Sequence, residues 1–184
     1  KQLHIVPLSI SYEYDPCDYL KAREYQLRRD IPYWKKTAED DLESMLIGIK
    51  GFKGHIFYHC APCIDDWLDT LDTDLPKNKL FDAIASHIDH EIHSCYKLYP
   101  INYVALDMIQ DTKVYEEYYT QDDYEKFDAY LAGQIEKIDI ENRDEQFLRT
   151  CLLTQYAYPA KNYIDASSES GRLKSLLNRL TFKK

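Results

Sequence analysis

Only two segments of the chain read as β-strand, both lie in the first third, and nearly everything after them reads as helix. That asymmetry constrains the fold more than any other feature. Leu3 to Tyr12 is rich in β-branched and large apolar residues, with Pro7 marking a strand start, edge or bulge. Gly54 to Cys60 is the second such stretch and stops at Pro62. Two strands alone make a marginal sheet in water. They are therefore expected to complete a sheet whose other members lie N-terminal to residue 1 or on another chain. The fold class expected is α+β, mostly helical.

The helices announce themselves by caps and spacing. Asp15-Pro16 opens one predicted to run from Pro16 to about Arg29, carrying Lys21, Arg23, Arg28 and Arg29. Thr37 with Asp40 has the form of a capping box, and Leu42, Met45, Leu46 and Ile49 follow as one helical stripe before Gly51. Asp65 to Leu71 makes a short helix. Pro76 opens a long one to about Leu98, with Leu80, Ile84, Ile88 and Ile92 spaced by four, and Pro100 ends it. Ile101 to Ile109 is helical. Thr120 and Asp123 repeat the capping pattern before Tyr124, Phe127, Leu131 and Ile135. Asn142 is expected to cap a last core helix through Phe147, Leu148, Cys151 and Leu152, closed before Pro159.

Composition sets the outer limits. Of 184 residues, 45% are apolar and 30% charged, a balance that suits a packed domain and not a disordered chain. The longest runs without Asp, Glu, Lys or Arg, such as Gln2 to Tyr12 and Thr150 to Ala160, are 11 residues. A membrane-spanning helix needs about 20 apolar residues, so no crossing is expected. No signal-peptide pattern opens the sequence. Residues 1–53 balance nine basic against nine acidic side chains, and residues 54–171 carry nine basic and twenty-three acidic. That acidic middle repels nucleic acid, so none is expected as partner. Residues 172–184 hold five basic and no acidic side chains. With leucines at 173, 176, 177 and 180, this basic tail reads either as a helix in a lipid headgroup layer or as a last helix packing on the domain. The seventeen tyrosines suit half-buried packing and interfaces.

Candidate chemistry is sparse. Cys60-Ala61-Pro62-Cys63 has the spacing of a redox pair or half a zinc site, and His87, His90, His93 and Cys95 follow on a helix. A tetrahedral Cys60/Cys63/His90/His93 site is conceivable. A strand end followed by a histidine-rich surface helix accounts for the same residues, and the expectation is no bound metal. Five cysteines, an odd number, make no disulfide framework and favour a reducing compartment. There is no G-x-S-x-G, and the glycines at 48, 51, 54, 133 and 171 form no phosphate-cradling loop. Asp40-Asp41, Asp65-Asp66 and Asp122-Asp123 sit at helix starts, where carboxylates complement the helix dipole.

The stretch from Ile5 to Ala22, with Val6-Pro7 running into Tyr12-Glu13-Tyr14-Asp15-Pro16-Cys17-Asp18-Tyr19-Leu20, resembles the last block of the phospholipid/glycerol acyltransferase family. The likeness is to a bacterial, lysophosphatidic acid acyltransferase-like subgroup. It continues through Asp40-Asp41-Leu42, Gly51-Phe52-Lys53-Gly54, Ile88 to His93, Tyr99 to Ala105, Phe127 to Leu131, Asp144 to Arg149 and Pro159 to Tyr163. It spans roughly residues 3–166. The family works through a His-x4-Asp motif in which the histidine deprotonates the acceptor hydroxyl and the aspartate orients it. Here the residues five after each histidine are Ser9, Cys60, Ile64, Ile92, Cys95 and Leu98, and none is Asp. The glycerol-phosphate-binding block is missing too. Both normally precede the Val-Pro strand.

The resemblance therefore implies the C-terminal portion of such an enzyme. Residues 1–64 would end the acyltransferase domain, 65–166 would form a helical region, and 167–184 a basic amphipathic tail. No catalytic residue is assigned. Pro7, Ser9 and Tyr12 are expected to touch the substrate cleft. Lys21 and Arg23, with Arg28 and Arg29, are expected to hold anionic headgroup or cofactor phosphates, a solvated helix face being the other reading. The implied acyl donor is acyl-CoA or acyl carrier protein, with no bound cofactor. The implied partners are a lipid acceptor, the acyl thioester, the missing N-terminal half and a membrane surface. The implied location is the cytoplasm, peripheral to the inner face of the membrane. The rival reading is an acidic interaction module of immunity or DNA-mimic type, without catalysis.

Overall fold

The computed structural model describes residues 3–168; the basic tail lies outside the described residues, so neither of its readings is addressed. The chain is α+β and mostly helical. Strand β1 (Leu8–Tyr12) is followed by helices α1 (Asp18–Asp30) and α2 (Ala38–Lys50), strand β2 (Ile56–Cys60), and then α3 (Asp65–Leu68), α4 (Lys77–His93), α5 (Pro100–Gln110), α6 (Gln121–Glu136) and α7 (Glu145–Ser167). Among the described residues no helix is long and apolar enough to cross a membrane.

The two strands pair with each other in a two-stranded sheet. Ala61 N donates to Pro7 O at 2.9 Å and Glu13 N to His55 O at 2.9 Å, which makes the pair antiparallel. In this register Leu8 faces Cys60 and Ile10 faces Tyr58 across the ladder. The alternation on β1 is inverted. Ser9 is 2% exposed, whereas Leu8 and Ile10 are 44% and 40% exposed. The serines are inside because they satisfy irregular backbone: Ser9 Oγ donates to Cys95 O at 3.4 Å, and Lys97 N donates to Ser11 Oγ at 3.0 Å. The opposite face of the sheet is apolar and bare.

Both predicted capping boxes form, whereas α1 starts at Asp18 with Cys17, not Asp15, at its N-cap position. Thr37 and Asp40, and Thr120 and Asp123, each form the full reciprocal box at the starts of α2 and α6. Pro100 does not end the helix before it, since α4 has already stopped at His93; it opens α5 at its first turn, where a missing N–H costs nothing. Asn142 is not the cap of α7. It sits at φ 55°, and Asp144 accepts from Phe147 N at 3.0 Å instead. Nor does α7 stop before Pro159, which lies inside it. The helix continues because Leu148, Leu152, Tyr156, Ala157 and Ala160 bury one face, and that burial outweighs one lost backbone bond.

The chain divides into two compact units that interleave in sequence. Of the described residues, the first takes those up to Ser11, Phe57–Lys97 and those from Lys161 on, the second Tyr12–Ile56 and Leu98–Ala160. The second holds a dense core in which Leu20, Val104, Phe127, Leu131, Leu148 and Leu152 are almost wholly buried. Asp18, also buried, accepts hydrogen bonds from Tyr130 Oη at 2.7 Å, Tyr156 Oη at 2.6 Å and Tyr19 N at 2.5 Å. In the first unit the buried apolar side chains are few, with Ala61 and Ile64 the clearest.

Candidate functional site

A cleft of about 330 Å³ opens in the second unit where the end of β1, the start of α1 and the inner side of α2 meet. Tyr12, Cys17, Lys21, Lys36 and Lys53 line it. Local sequence explains the convergence. Asp15 Oδ1 accepts from Cys17 N at 2.9 Å, turning the chain into α1. Gly51 lets the end of α2 approach that turn, since a Cβ there would lie 2.4 Å from Pro16 Cβ. Gly54, at φ 61°, reverses the chain toward β2.

Three lysines line the cleft, in a chain that is acidic overall. Lys21 pairs with the Asp15 carboxylate. Lys36 Nζ donates to Glu24 Oε1 at 2.9 Å, Asp41 Oδ1 at 3.2 Å and Ser44 Oγ at 2.9 Å. The bond to Glu24 raises the ammonium pKa, so Lys36 stays charged. Lys53 Nζ donates to the carbonyls of Ile49 and Gly51 at 3.2 and 3.0 Å, which caps α2 with a charge. Three ammonium groups thus meet three carboxylates, Asp15 and Glu24 in the lining and Asp41 beside it. Cys17 Sγ donates to Ser44 O at 3.3 Å, and burial pushes the thiol pKa up, so it is not poised as a nucleophile. No histidine lines the cleft. The lysine ammonium groups are all hydrogen-bonded within the protein, and the carboxylates of Asp15 and Glu24 are the lining groups that could accept a proton.

The expected substrate-contacting residues divide between the units. Tyr12 and Lys21 line the cleft. Pro7 and Ser9 belong to the first unit, buried, with the Ser9 hydroxyl already spent on Cys95. Arg23 binds Asp40 at 2.8 Å and leaves its buried Nε without a hydrogen-bond partner. Arg28 lies 3.5 Å from Glu24, and Arg29 bridges Asp30 at 2.6 Å and Asp144 at 2.9 Å. The basic face of α1 is therefore largely neutralised in place. Sequence reasoning missed Lys36 and Lys53. Lys53 sits in the Gly-Phe-Lys-Gly turn, and a cation beside a helix C-cap was the available signal.

A larger groove of about 1030 Å³ in the same unit is lined by Asp111, Lys113, Glu116, Glu117 and Arg149. Its base is structural. Asp107 accepts from Thr112 Oγ1 at 2.7 Å and from Val114 N, Tyr115 N and Tyr119 Oη at 3.0 Å. Burial and that bond push the Tyr119 phenol to about 12.

The cysteine–histidine set proposed from spacing is not assembled. All five cysteines are free thiols. His87 stacks on Trp67, and His93 leans on Tyr96. Among the described residues the one grouping with metal-ligand spacing is His4, Cys63 and Asp65. Comparison with protein-family models, with curated proteins and with solved structures finds no match to the chain.

Proposed function

We propose that the chain is the C-terminal portion of a glycerolipid acyltransferase. The intact enzyme would carry a fatty acyl group from acyl-CoA or acyl carrier protein to glycerol phosphate or a lysophospholipid at a membrane surface. One observation supports this reading beyond the sequence resemblance: among the described residues the sheet has two strands, both edge strands, and Leu8, Ile10 and Tyr58 present apolar side chains to solvent on its exposed face. Unpaired edges and a bare apolar face are features that self-contained domains avoid. Further strands and their covering helices would remove both. In that enzyme the lysine-lined cleft would hold the phosphate of acceptor or donor, and the proton-accepting histidine would come from the preceding residues.

The test is transfer from labelled acyl-CoA to lysophosphatidic acid, measured for this 184-residue chain and for the protein read from its intact gene. The expected result is background transfer by the chain alone and turnover by a longer product carrying His-x4-Asp, since loss of a general base costs orders of magnitude in rate. Robust transfer by the chain alone, or an intact gene product without His-x4-Asp, would overturn the reading.

A further inference from the structure

Beside the strand pair, in the first unit, three side chains of different chemistry meet. His4 Nδ1 lies 2.5 Å from Asp65 Oδ2, and these atoms and Cys63 Sγ all fall within 4.8 Å of one another. The backbone fixes this meeting. Ala61 N donates to Pro7 O at 2.9 Å and Ile64 N to Ile5 O at 3.0 Å, so the segment before β1 is tied to the segment after β2. Ile64 is buried, and its neighbours on either side, Cys63 and Asp65, both turn outward toward His4. His4 itself adopts φ 51°, a left-handed conformation uncommon for a residue with a side chain.

We propose that His4, Cys63 and Asp65 bind one divalent transition-metal ion of zinc type, with a fourth position open to solvent. A thiolate, an imidazole and a carboxylate form a mixed set that suits zinc or cobalt and not calcium or magnesium, which take oxygen ligands. Ligand atoms around a tetrahedral zinc lie roughly 3.5 Å apart, given metal–ligand distances of about 2.0–2.3 Å. The observed grouping reaches that by small rotations of exposed side chains. On binding, the thiol proton leaves to solvent, and the imidazole changes tautomer, its Nδ1 proton passing to solvent while Nε2 takes one up, so that the neutral ring binds the metal through Nδ1. The ion would then clip the start of β1 to the start of α3. The site needs nothing from the acyltransferase reading and stands or falls separately.

The experiment is titration of the full 184-residue chain, reduced and freed of metal, with cobalt(II) and zinc(II) chloride. Expected are one equivalent bound by equilibrium dialysis and a thiolate-to-cobalt charge-transfer band that zinc abolishes. Cys63→Ser should remove the band. His4→Gln and Asp65→Asn should each weaken binding at least about tenfold, since even outer-sphere partners are worth that much. Cys60→Ser, His90→Gln and His93→Gln should leave binding unchanged. All six positions are at least partly exposed, and matching circular dichroism spectra would show that the variants fold. The proposal is overturned if no stoichiometric binding occurs, if Cys63→Ser keeps the band, or if the Cys60, His90 or His93 variants lose it.

Discussion

The two units solve the problem of polar groups in opposite ways. In the second, polar groups are buried deliberately among apolar ones. Asp18 and Asp107 sit inside a helical core, and each collects hydrogen bonds from several partners. In the first, the β1 serines are buried and the larger apolar side chains face out. The second unit has the density of a finished domain. Among the described residues, the first exposes the apolar side chains of its sheet face. Apolar burial is what offsets chain entropy, so the second unit should carry nearly all the stability of the isolated chain.

The largest effect that tests this contrast comes from Phe127, which is wholly buried. Phe127→Ala should cost about 3–5 kcal/mol of unfolding free energy. Ile10→Ser, on the bare sheet face, should cost less than about 1 kcal/mol in the isolated chain. Urea denaturation followed by far-ultraviolet circular dichroism reads both. In the intact acyltransferase proposed above, Ile10→Ser should become several times more damaging. A large Ile10 effect in the isolated chain would break the comparison, because that face would then be covered already.

Asp18 sharpens it by pH. Burial raises its pKa, and the hydrogen bonds from Tyr130 and Tyr156 offset part of that rise. Burial first, and then the neighbouring Asp18 charge, push both phenols above the ordinary tyrosine value. Asp18→Ala removes the shared acceptor of two hydroxyls that lie 3.1 Å apart, leaving one O–H donor unsatisfied, and should cost about 1–3 kcal/mol. The folded pKa of Asp18 lies above its unfolded value. The fold therefore favours the protonated form, and this group's contribution is fully present below the unfolded pKa and lost as pH rises through the folded one. Wild type should gain stability relative to Asp18→Asn as pH falls from 7 toward 4. A flat difference across that range would show that Asp18 does not titrate in the fold.

Much of the second unit was legible in the sequence, and the reason is local. Capping boxes and the stripe through Phe127 and Leu131 are short-range signals, and packing agreed with them, whereas Pro100, read as a helix end, opens α5. The strand pair and the mostly helical balance were legible for the same reason. Misreadings came where packing decides. Nothing near Pro159 says that Tyr156 and Ala160 will hold the helix through it. The stripe Leu42, Met45, Leu46 and Ile49 reads as core, yet Met45 is 64% and Ile49 74% exposed. Periodicity shows which face of a helix is apolar, not whether anything covers it. Of the cleft lining, Tyr12 and Lys21 are two of the residues that the family likeness marked for substrate contact. Lys36 and Lys53 arrive from turns whose spatial convergence no spacing rule encodes. The His4–Cys63–Asp65 grouping depends on strand register, which a histidine far from the cysteines in sequence cannot announce.

The smallest effect compares two caps of the same chemistry. Thr37 and Thr120 form the same reciprocal box, but α6 buries Phe127 and Leu131 whereas α2 buries no residue at all. Thr120→Ala should lower global stability by about 1 kcal/mol. Thr37→Ala should fray α2 with little change in the global midpoint, because its folding is weakly tied to the core. Amide hydrogen exchange separates the cases: faster exchange confined to residues 38–50 for Thr37→Ala, and a small rise across the core helices for Thr120→Ala. Asp123 gives a pH check on the second. The Thr120 hydroxyl and N–H hold its carboxyl below the ordinary value. Its contribution is therefore present above that value and lost as pH falls through the folded one, opposite in sign to Asp18. A global loss from Thr37→Ala as large as that from Thr120→Ala would mean that α2 is packed as firmly as α6, and the bare stripe on α2 would need another explanation.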